Sequence, residues 1–261
     1  MDDKSLALTY VGGPTAWLEF GGLRFLTDPT FDPAGGEYRT GRVTLRKLAG
    51  PALSREALGG YDYVLLSHDH HSDNLDHAGR KALPDAKAVL TTCEGARRLG
   101  GNSIGLKPWE AIDLATPAGK IVRVIATPAR HGPAGLHRGE VCGFVLFPSN
   151  APERAIYISG DTVWYEGVAQ VAEQFAVRAV LLHLGAARVP EVGTFHLTMT
   201  ASEAVEAARA LANAAIVPIH FEGWGHFSEG SREVAAAFAA AKLEHRLHWP
   251  EPGRAIQIPL D

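Results

Sequence analysis

Several short apolar runs in this 261-residue chain are followed within a few residues by a histidine or an aspartate. Apolar runs of about four to eight residues bounded by Gly and Pro are typical of buried β-strands. Because side chains that follow neighbouring strands meet at one edge of a sheet, this pattern predicts a polar site at the strand ends. The residues that follow the runs are His68, His70, His131, Asp161 and His220.

Two of these histidines belong to one short motif. His68 and His70 share one side of an extended chain, because side chains two positions apart point the same way. One cation can therefore contact both imidazoles, and Zn²⁺ accepts neutral imidazole and carboxylate as ligands. A catalytic metal needs at least three protein ligands, so we expect one or two divalent ions at this edge. The predicted ligands are His68, His70, Asp73, His131, Asp161 and His220.

The composition excludes several classes of function. Hydrophobic residues make up 46% of the chain and charged residues 21%, which is the balance of a folded globular protein and excludes a disordered chain. The formal net charge is -4 and the sequence contains no basic stripe, so we expect no nucleic-acid partner. The partner we expect is a small-molecule substrate.

The cysteine content and the N-terminal segment favour a cytoplasmic protein. Cys93 and Cys142 are the two cysteines, far fewer than a disulfide-rich scaffold contains. The segment MDDKSLALTY lacks the basic and apolar regions of a signal peptide. No window approaches the roughly 18 apolar residues of a membrane-spanning helix, so we expect no membrane span.

The chain has no linker, low-complexity tract or internal repeat, so we expect a single domain over residues 1–261. Strand-like runs dominate its first half, about 1–150, and strands alternate with helices in the second half, 151–261. The predicted class is therefore α/β with α+β character. Helices are predicted over 76–83, 94–100, 165–176, 199–214 and 231–244.

Four motifs, in a fixed order, resemble those of one known superfamily. The opening TYVGGPTAWLEFGGLRFLTDPTFD contains an Asp-Pro pair at Asp28 and Pro29, and LLSHDHHSDNLD follows it. The motifs ISGDT and VPIHF come later. Together they span nearly the whole chain and resemble the metallo-β-lactamase superfamily. Within it they are similar to the branch of L-ascorbate-6-phosphate lactonase and of N-acylphosphatidylethanolamine phospholipase D-like proteins.

This resemblance implies a four-layer αβ/βα sandwich with a metal site at one edge, between the two sheets. By the same resemblance, His68, His70 and His131 hold a first metal. Asp161 bridges two metals, and His220 belongs to the second. The resemblance also implies a lactonase-like hydrolase.

The metal motif departs from the usual family pattern His-x-His-x-Asp-His. Here it is His68-x-His70-x-x-Asp73-Asn74. With a one-residue insertion, Asp73 keeps the aspartate role and Asn74 offers an amide oxygen, which suits Mn²⁺ or Mg²⁺ better than Zn²⁺. Without a gap, Asp73 occupies the histidine position. Either alignment gives an oxygen-rich second site, so we expect one tight metal and one weak or absent metal.

These residues predict metal-assisted hydrolysis of a small ester, lactone or phosphodiester. A divalent ion lowers the pKa of its bound water towards about 7 and polarises the attacked carbonyl or phosphoryl oxygen. Asp73 is the predicted catalytic residue, which orients or deprotonates that water. Zinc is the expected metal, with manganese as the alternative.

Other side chains receive supporting roles, and two further hypotheses stay open. His71, His183, His196 and His226 are interpreted as packing residues or as residues that orient metal ligands. The first alternative function is a phosphodiesterase or nuclease. The second is a non-catalytic metal-binding or sensing module, in which Asn74 marks a degenerate site. The basic residues proposed to meet an anionic substrate group are Arg130, Arg188 and Lys107.

Overall fold

A computed structural model describes residues 4–136 and 138–261 of the chain. Residues 1–3, which contribute to the prediction that no signal peptide is present, lie outside the described residues. The strands, numbered along the chain, are β1 Ser5–Gly12, β2 Thr15–Phe20, β3 Leu23–Thr27, β4 Glu37–Thr40, β5 Val43–Arg46, β6 Tyr63–Leu65, β7 Ala88–Thr92, β8 Ser103–Leu106, β9 Ala111–Ala115, β10 Ile121–Pro128, β11 Cys142–Pro148, β12 Ala155–Ile158, β13 Val177–His183, β14 Ala215–Ile219 and β15 Ala255–Pro259. The helices are α1 His77–Ala82, α2 Cys93–Leu99, α3 Glu166–Gln174, α4 Ala201–Ala210 and α5 Ser231–Ala240.

Two mixed sheets contain all of these strands except β4 and β5. The first sheet has the order β15-β1-β2-β3-β6-β7-β8, antiparallel from β15 to β3 and parallel from β3 to β8. The second sheet has the order β14-β13-β12-β11-β10-β9, parallel from β14 to β12 and antiparallel beyond. The chain passes from the first sheet to the second between Leu106 and Ala111, and β15 returns to the first.

The two sheets pack face to face around one apolar core. Alternate residues of β10, such as Val122 and Val124, are fully buried and join a cluster that contains Leu8 and Phe20 of the first sheet. A second cluster covers the outer face of the first sheet with residues around α1 and α2. A third packs α3, α4 and α5 on the outer face of the second sheet. The predicted four-layer αβ/βα sandwich is confirmed, and the single-domain assignment for residues 1–261 stays a prediction.

Four strands end at the edge where the two sheets meet. The backbone N–H of Cys142 donates to the carbonyl of Ser67 at 3.1 Å, which joins the sheets there. Gly160 has φ +59°, and a Cβ at this position would lie 2.4 Å from the Cys142 carbonyl oxygen, so the turn after β12 requires glycine. The segments that follow β6, β10, β12 and β14 carry His68, His131, Asp161 and His220.

The structure adds one element that the strand pattern described above does not include. The hairpin of β4 and β5 lies outside both sheets and turns at Gly41. Helix α4 is shorter than the predicted 199–214. A capping box of Thr200 and Glu203 fixes its start, and the backbone leaves the helical conformation at Leu211, with φ −82° and ψ 56°. No helix of residues 4–136 and 138–261 has the length and apolar character needed to cross a bilayer.

The helix after the metal motif tolerates no side chain at Gly79. A Cβ there would lie 1.8 Å from the carbonyl oxygen of Pro29. We expect Gly79→Ala to lower the free energy of unfolding by about 3 kcal/mol, because the clash is with backbone that cannot move aside cheaply. Urea unfolding followed by circular dichroism measures this loss. The control is Gly225→Ala, whose Cβ would be 3.7 Å from its nearest neighbour, and equal losses in both variants would contradict the prediction.

Candidate metal centre

The loop after β6 fixes the orientation of the first histidine. The Oγ of Ser67 lies 2.9 Å from Nδ1 of His68, and the Nε2 of that ring lies 2.9 Å from Nδ1 of His71. Asp69 points away from the site and accepts a hydrogen bond from the Arg98 guanidinium at 2.6 Å. Because Nδ1 of His68 is held by a hydroxyl, its Nε2 is presented to the site.

Two groups of candidate metal ligands share His68. In each group, the ligand atoms lie within 4.8 Å of one another. The Nδ1 of His131 is 3.0 Å from the backbone carbonyl of Leu197, an interaction that leaves the Nε2 of His131 available to a metal. The first group consists of His68, His70 and His71, and the second of His68, His131 and Asp161.

A third group, again within 4.8 Å, lies on the other side of Asp161 and contains His183 and His220. The Nδ1 atoms of His183 and His220 are 3.0 Å and 3.4 Å from Oδ1 of Asp161. His220 has φ +58°, a left-handed conformation that residues other than glycine seldom adopt. Its N–H donates to the carbonyl of Gly13 at 2.8 Å, which holds this strained turn. Strain of this kind is concentrated at functional sites in proteins.

Asp73 contacts two histidines from the same edge. Its Oδ2 lies 2.9 Å from Nε2 of His226 and 3.6 Å from Nε2 of His220. Asp73 belongs to none of the three groups found among the described residues.

Burial lowers the pKa of His220, but the charges of Asp161 and Asp73 raise it above its ordinary value. The carboxylates around His220 therefore favour positive charge at this position.

Asn74 follows Asp73 in the metal motif. Its Nδ2 donates to Oδ2 of Asp28 at 3.3 Å and to Oδ1 of Asp161 at 3.2 Å. The amide therefore links two buried carboxylates, and in the described part of the chain its Oδ1 is buried without a hydrogen-bond partner. Its use as an oxygen ligand stays a prediction.

Buried polar atoms without a hydrogen-bond partner are concentrated at this centre. Such atoms destabilise a folded chain unless something binds them. A divalent cation satisfies nitrogen lone pairs and carboxylate oxygens together, so these residues fit a bound metal. Among the described residues, the atoms are Nδ1 and Nε2 of His70, Oδ1 of Asp73, Oδ2 of Asp161, Nε2 of His183 and both ring nitrogens of His220.

Burial and neighbouring charges prepare these groups to bind a metal. Burial, with His71 alongside, lowers the pKa of His68 well below its ordinary value, and burial lowers the pKa of His131 to about 4. Burial raises the pKa values of Asp161 and Asp73, but the surrounding histidines hold both well below the usual range. At neutral pH, these two imidazoles are neutral and the carboxylates are charged, which are the forms that bind metals.

Asp28 is the one carboxyl here that burial drives towards its neutral form. Its Oδ1 accepts the Ser67 N–H at 2.6 Å, yet burial, with Asp161 nearby, raises its pKa to about 7. At pH 8, we expect metal-free Asp28→Asn to be about 2 kcal/mol more stable than the metal-free wild type, because it removes a buried charge. A raised folded-state pKa means that the wild type regains this stability as the pH falls below 7.

Urea unfolding of both metal-free proteins at pH 8 and pH 5 tests this prediction. The stability difference should be clearly smaller at pH 5, because the wild type regains stability as the pH falls from the folded-state pKa of about 7 towards the unfolded value of 3.8. A difference of the same size at the two pH values would show that the charge of Asp28 is not its cause. Asp113→Asn, which alters an exposed carboxylate paired with Arg123, controls for the general effect of removing a negative charge.

A cavity of about 220 Å³ opens beside the centre. The hairpin of β4 and β5 covers one side of it and is anchored by Lys47, whose ammonium forms a buried ion pair with Asp76 at 2.6 Å. The polar lining contains His70, His71, Asp73, His131, Arg138 and His226, among others. The apolar lining contains Val43, Leu45, Ala187, Val189 and Leu197.

The basic residues proposed from the sequence do not line this cavity. Arg130 lies over the ring of Tyr165, 4.3 Å from its centroid, while Arg188 and Lys107 are exposed elsewhere. Their proposed contact with a substrate is therefore wrong for this cavity. Arg138, which the sequence reading did not single out, lines it and donates to Nε2 of His71 at 2.9 Å.

The histidines given supporting roles fall into three situations. His71 and His183 lie in groups of candidate ligands, and His226 contacts Asp73. His196 instead pairs with Glu203 at 3.0 Å, at the start of α4. His183 ends the buried strand β13, so the same signal that singled out His131 was present in its sequence.

Comparison with known proteins relates this geometry to a family. The family model described as "Beta-lactamase superfamily domain" matches residues 23–221. UPF0173 protein YddR of Bacillus subtilis is 26% identical over 259 residues, which cover 95% of this chain and 98% of the relative. A UPF0173 metal-dependent hydrolase of Caldivirga maquilingensis is 24% identical over 258 residues, which cover 97% of this chain and 98% of the relative.

Solved structures are similar over nearly the whole chain. The isothiocyanate hydrolase from Delia radicum gut bacteria superposes with a TM-score of 0.81 at 25% identity, covering 96% of this chain and 98% of that one. Igni18, a metallo hydrolase of Ignicoccus hospitalis, superposes with a TM-score of 0.73 at 20% identity, covering 98% of this chain and all of that one. Because the family model spans most of the chain and the fold agrees, the chain belongs to the metallo-β-lactamase superfamily.

Proposed function

We propose that this chain, a metal-dependent hydrolase, cleaves a small ester or lactone with water activated at the centre described above. The observation that carries the proposal is the set of buried imidazole and carboxylate atoms without partners, beside a small cavity with one apolar side. Binding cavities for small molecules combine apolar walls with a few converging polar groups. The centre therefore has both parts that such an enzyme needs.

The residues assigned to the metal follow from the family resemblance, and the groups of candidate ligands support it because both His70 and His131 share a group with His68. We assign His68, His70 and His131 to a first ion, with zinc as the proposed metal because the set is rich in nitrogen. Asp161 lies between the two sides of the centre, and His220 and Asp73 are assigned to a second ion of weaker affinity. A divalent ion bound here lowers the pKa of water and polarises the carbonyl group of a substrate.

Asp73 and His226 are the proposed proton carriers. Asp73 is ionised, lines the cavity and has its Oδ1 without a partner among the described residues, so it can accept a proton from the attacking water. His226 lies 2.9 Å from its Oδ2 and also lines the cavity. The proton can therefore pass from Asp73 through His226 to the leaving alcohol, which balances the hydrolysis of the ester bond.

Hydrolysis assays with the metal-loaded protein test the proposed function. p-Nitrophenyl pentanoate, γ-butyrolactone and bis-p-nitrophenyl phosphate represent the ester, lactone and phosphodiester classes. We expect turnover of the ester or lactone that a chelator removes and added Zn²⁺ or Mn²⁺ restores. Cleavage of the phosphodiester alone would favour the phosphodiesterase alternative, and no turnover in a chain that binds no ion would favour a binding module.

A second candidate substrate class is the isothiocyanates. It is favoured by the apolar side of the cavity and by the similarity to the isothiocyanate hydrolase, whose sequence is 25% identical. In this reaction, water adds to the central carbon of R–N=C=S, and the amine and carbonyl sulfide leave. Loss of phenethyl isothiocyanate absorbance together with appearance of the amine measures it. Turnover faster than that of the ester and lactone would make isothiocyanates the preferred class.

A further inference from the structure

We propose that Arg138 binds a carboxylate on the substrate, so that the substrate is a small ester or lactone carrying both an apolar chain and a carboxylate. This inference rests on the proposed function, because it names the substrate class of the same cavity. It is carried by the surroundings of the Arg138 side chain and by the apolar lining of the cavity.

The guanidinium of Arg138 lacks a counter-charge. It is half-buried in the cavity wall, and it makes one hydrogen bond, from Nη2 to His71, among the contacts of the described residues. Its Nε is buried without a partner in residues 4–136 and 138–261, and no carboxylate there lies within the 4.0 Å of an ion pair. An arginine has five N–H donors, so most of its hydrogen-bonding capacity is unused.

Other partly buried arginines of the described chain have a counter-charge or several acceptors. Arg98 pairs with Asp69, and Arg246 donates to backbone carbonyls at the end of α4. Arg130, whose Nε also lacks a hydrogen-bond partner, has the carboxylate of Glu166 at 3.8 Å. Asp73 is the carboxylate whose charge reaches Arg138, but it is engaged with His226. A buried cation without a partner destabilises the fold, so the arrangement at Arg138 is that of a residue that meets its anion on binding.

A carboxylate fits this position better than a phosphate monoester. Arg138 is the one Lys or Arg among the described residues that line the cavity, so apart from the proposed metal ions a single basic side chain is offered at this position. A guanidinium binds a carboxylate of charge −1 with two parallel hydrogen bonds. A phosphate monoester carries about −1.5 to −2 at neutral pH and requires more than one cation.

The apolar lining defines the rest of the substrate. Val43 and Leu45 of the hairpin face the same cavity as Val189 and Leu197, and these residues form one apolar cluster. An aliphatic chain buries against such a wall while a charged end group stays at the guanidinium. A monoester of a short dicarboxylic acid has both features.

Paired substrates test the role of Arg138. Mono-p-nitrophenyl glutarate and p-nitrophenyl pentanoate have the same acyl length and differ by one carboxylate. We expect the zinc-loaded wild type to prefer the glutarate by about 10–100-fold in kcat/KM, the range of one hydrogen-bonded charge. Arg138→Gln should abolish this preference, and the loss for the glutarate should appear in KM rather than in kcat. The control Arg188→Gln, which alters an exposed arginine outside the cavity, should keep the preference.

Two further measurements separate this inference from the proposed function. Calorimetric titration of the zinc-loaded proteins with hexanoate and hexanol needs no turnover. We expect hexanoate to bind at least about tenfold more tightly than hexanol to the wild type and to lose this advantage in Arg138→Gln. Equal hexanoate affinity in both proteins would overturn the assignment even if neither ester is cleaved. Loss of bound zinc from Arg138→Gln would also overturn it, since Arg138 would then act by supporting His71.

Discussion

Replacing Asp161 by asparagine is expected to reduce kcat/KM by about a thousandfold and to release most of the bound metal. Asp161 is fully buried and belongs to two of the three groups of candidate ligands. Its Oδ1 is 3.0 Å from Nδ1 of His183, and its Oδ2 has no partner in the described chain, so both sides of the centre depend on it. Loss of metal activation removes several kcal/mol of transition-state stabilisation, and about 4 kcal/mol corresponds to a thousandfold.

The same variant is expected to stay folded. The apolar core between the sheets does not involve the centre, and asparagine has the shape of aspartate. Elemental mass spectrometry, circular dichroism and ester hydrolysis on one preparation measure the three quantities. His68→Ala and His131→Ala should lose metal and activity as Asp161→Asn does. The control Asp113→Asn, at an exposed ion pair, should match the wild type. Full metal content in Asp161→Asn would remove Asp161 from the ligand set, and an unfolded variant would contradict the independence of the core.

The sequence predicted the parts of the molecule that depend on local patterning. Alternating buried residues, as in β10, mark the strands, and a histidine or aspartate directly after such a strand must lie at a sheet edge. That argument sufficed for an α/β fold and for the convergence of His68, His131 and Asp161, whereas the four-layer arrangement was implied by the resemblance of four motifs to the superfamily. It required no knowledge of how the loops pack.

The rest of the centre depends on contacts between segments far apart in the chain. Arg138 reaches His71 across 67 positions, and His226 reaches Asp73 across 153. The hydrophobic periodicity of the sequence does not predict which loop residues contact one another, because loops have no repeating pattern. The hairpin over the cavity carried an alternation of apolar residues around Gly41, but its strands are four residues long, which is too short for a firm prediction.

Asp73→Ala is expected to lower the metal content from about two ions per chain to about one. The carboxylate of Asp73 lies 3.6 Å from Nε2 of His220, which shares a group of candidate ligands with Asp161 and His183. Without Asp73, Asp161 is the carboxylate that both Asn74 and His220 contact. The amide oxygen of Asn74 does not replace the lost carboxylate, because an amide oxygen is a poor ligand for zinc. The groups around His68 keep all their members, so the first ion should remain. Hydrolysis should fall as well, because the proposed proton acceptor is lost.

Metal analysis of protein purified without chelator, before and after loading with Zn²⁺ or Mn²⁺, decides this prediction. Asp113→Asn is the control, since Asp113 forms an exposed ion pair with Arg123 and is no candidate ligand, and it should retain both ions. Two ions in Asp73→Ala would mean that His183 and Asp28 complete the second site in its place. No ion in the loaded wild type would instead remove the chemical basis for hydrolysis at this centre, because the unpaired imidazoles and carboxylates would then have another use.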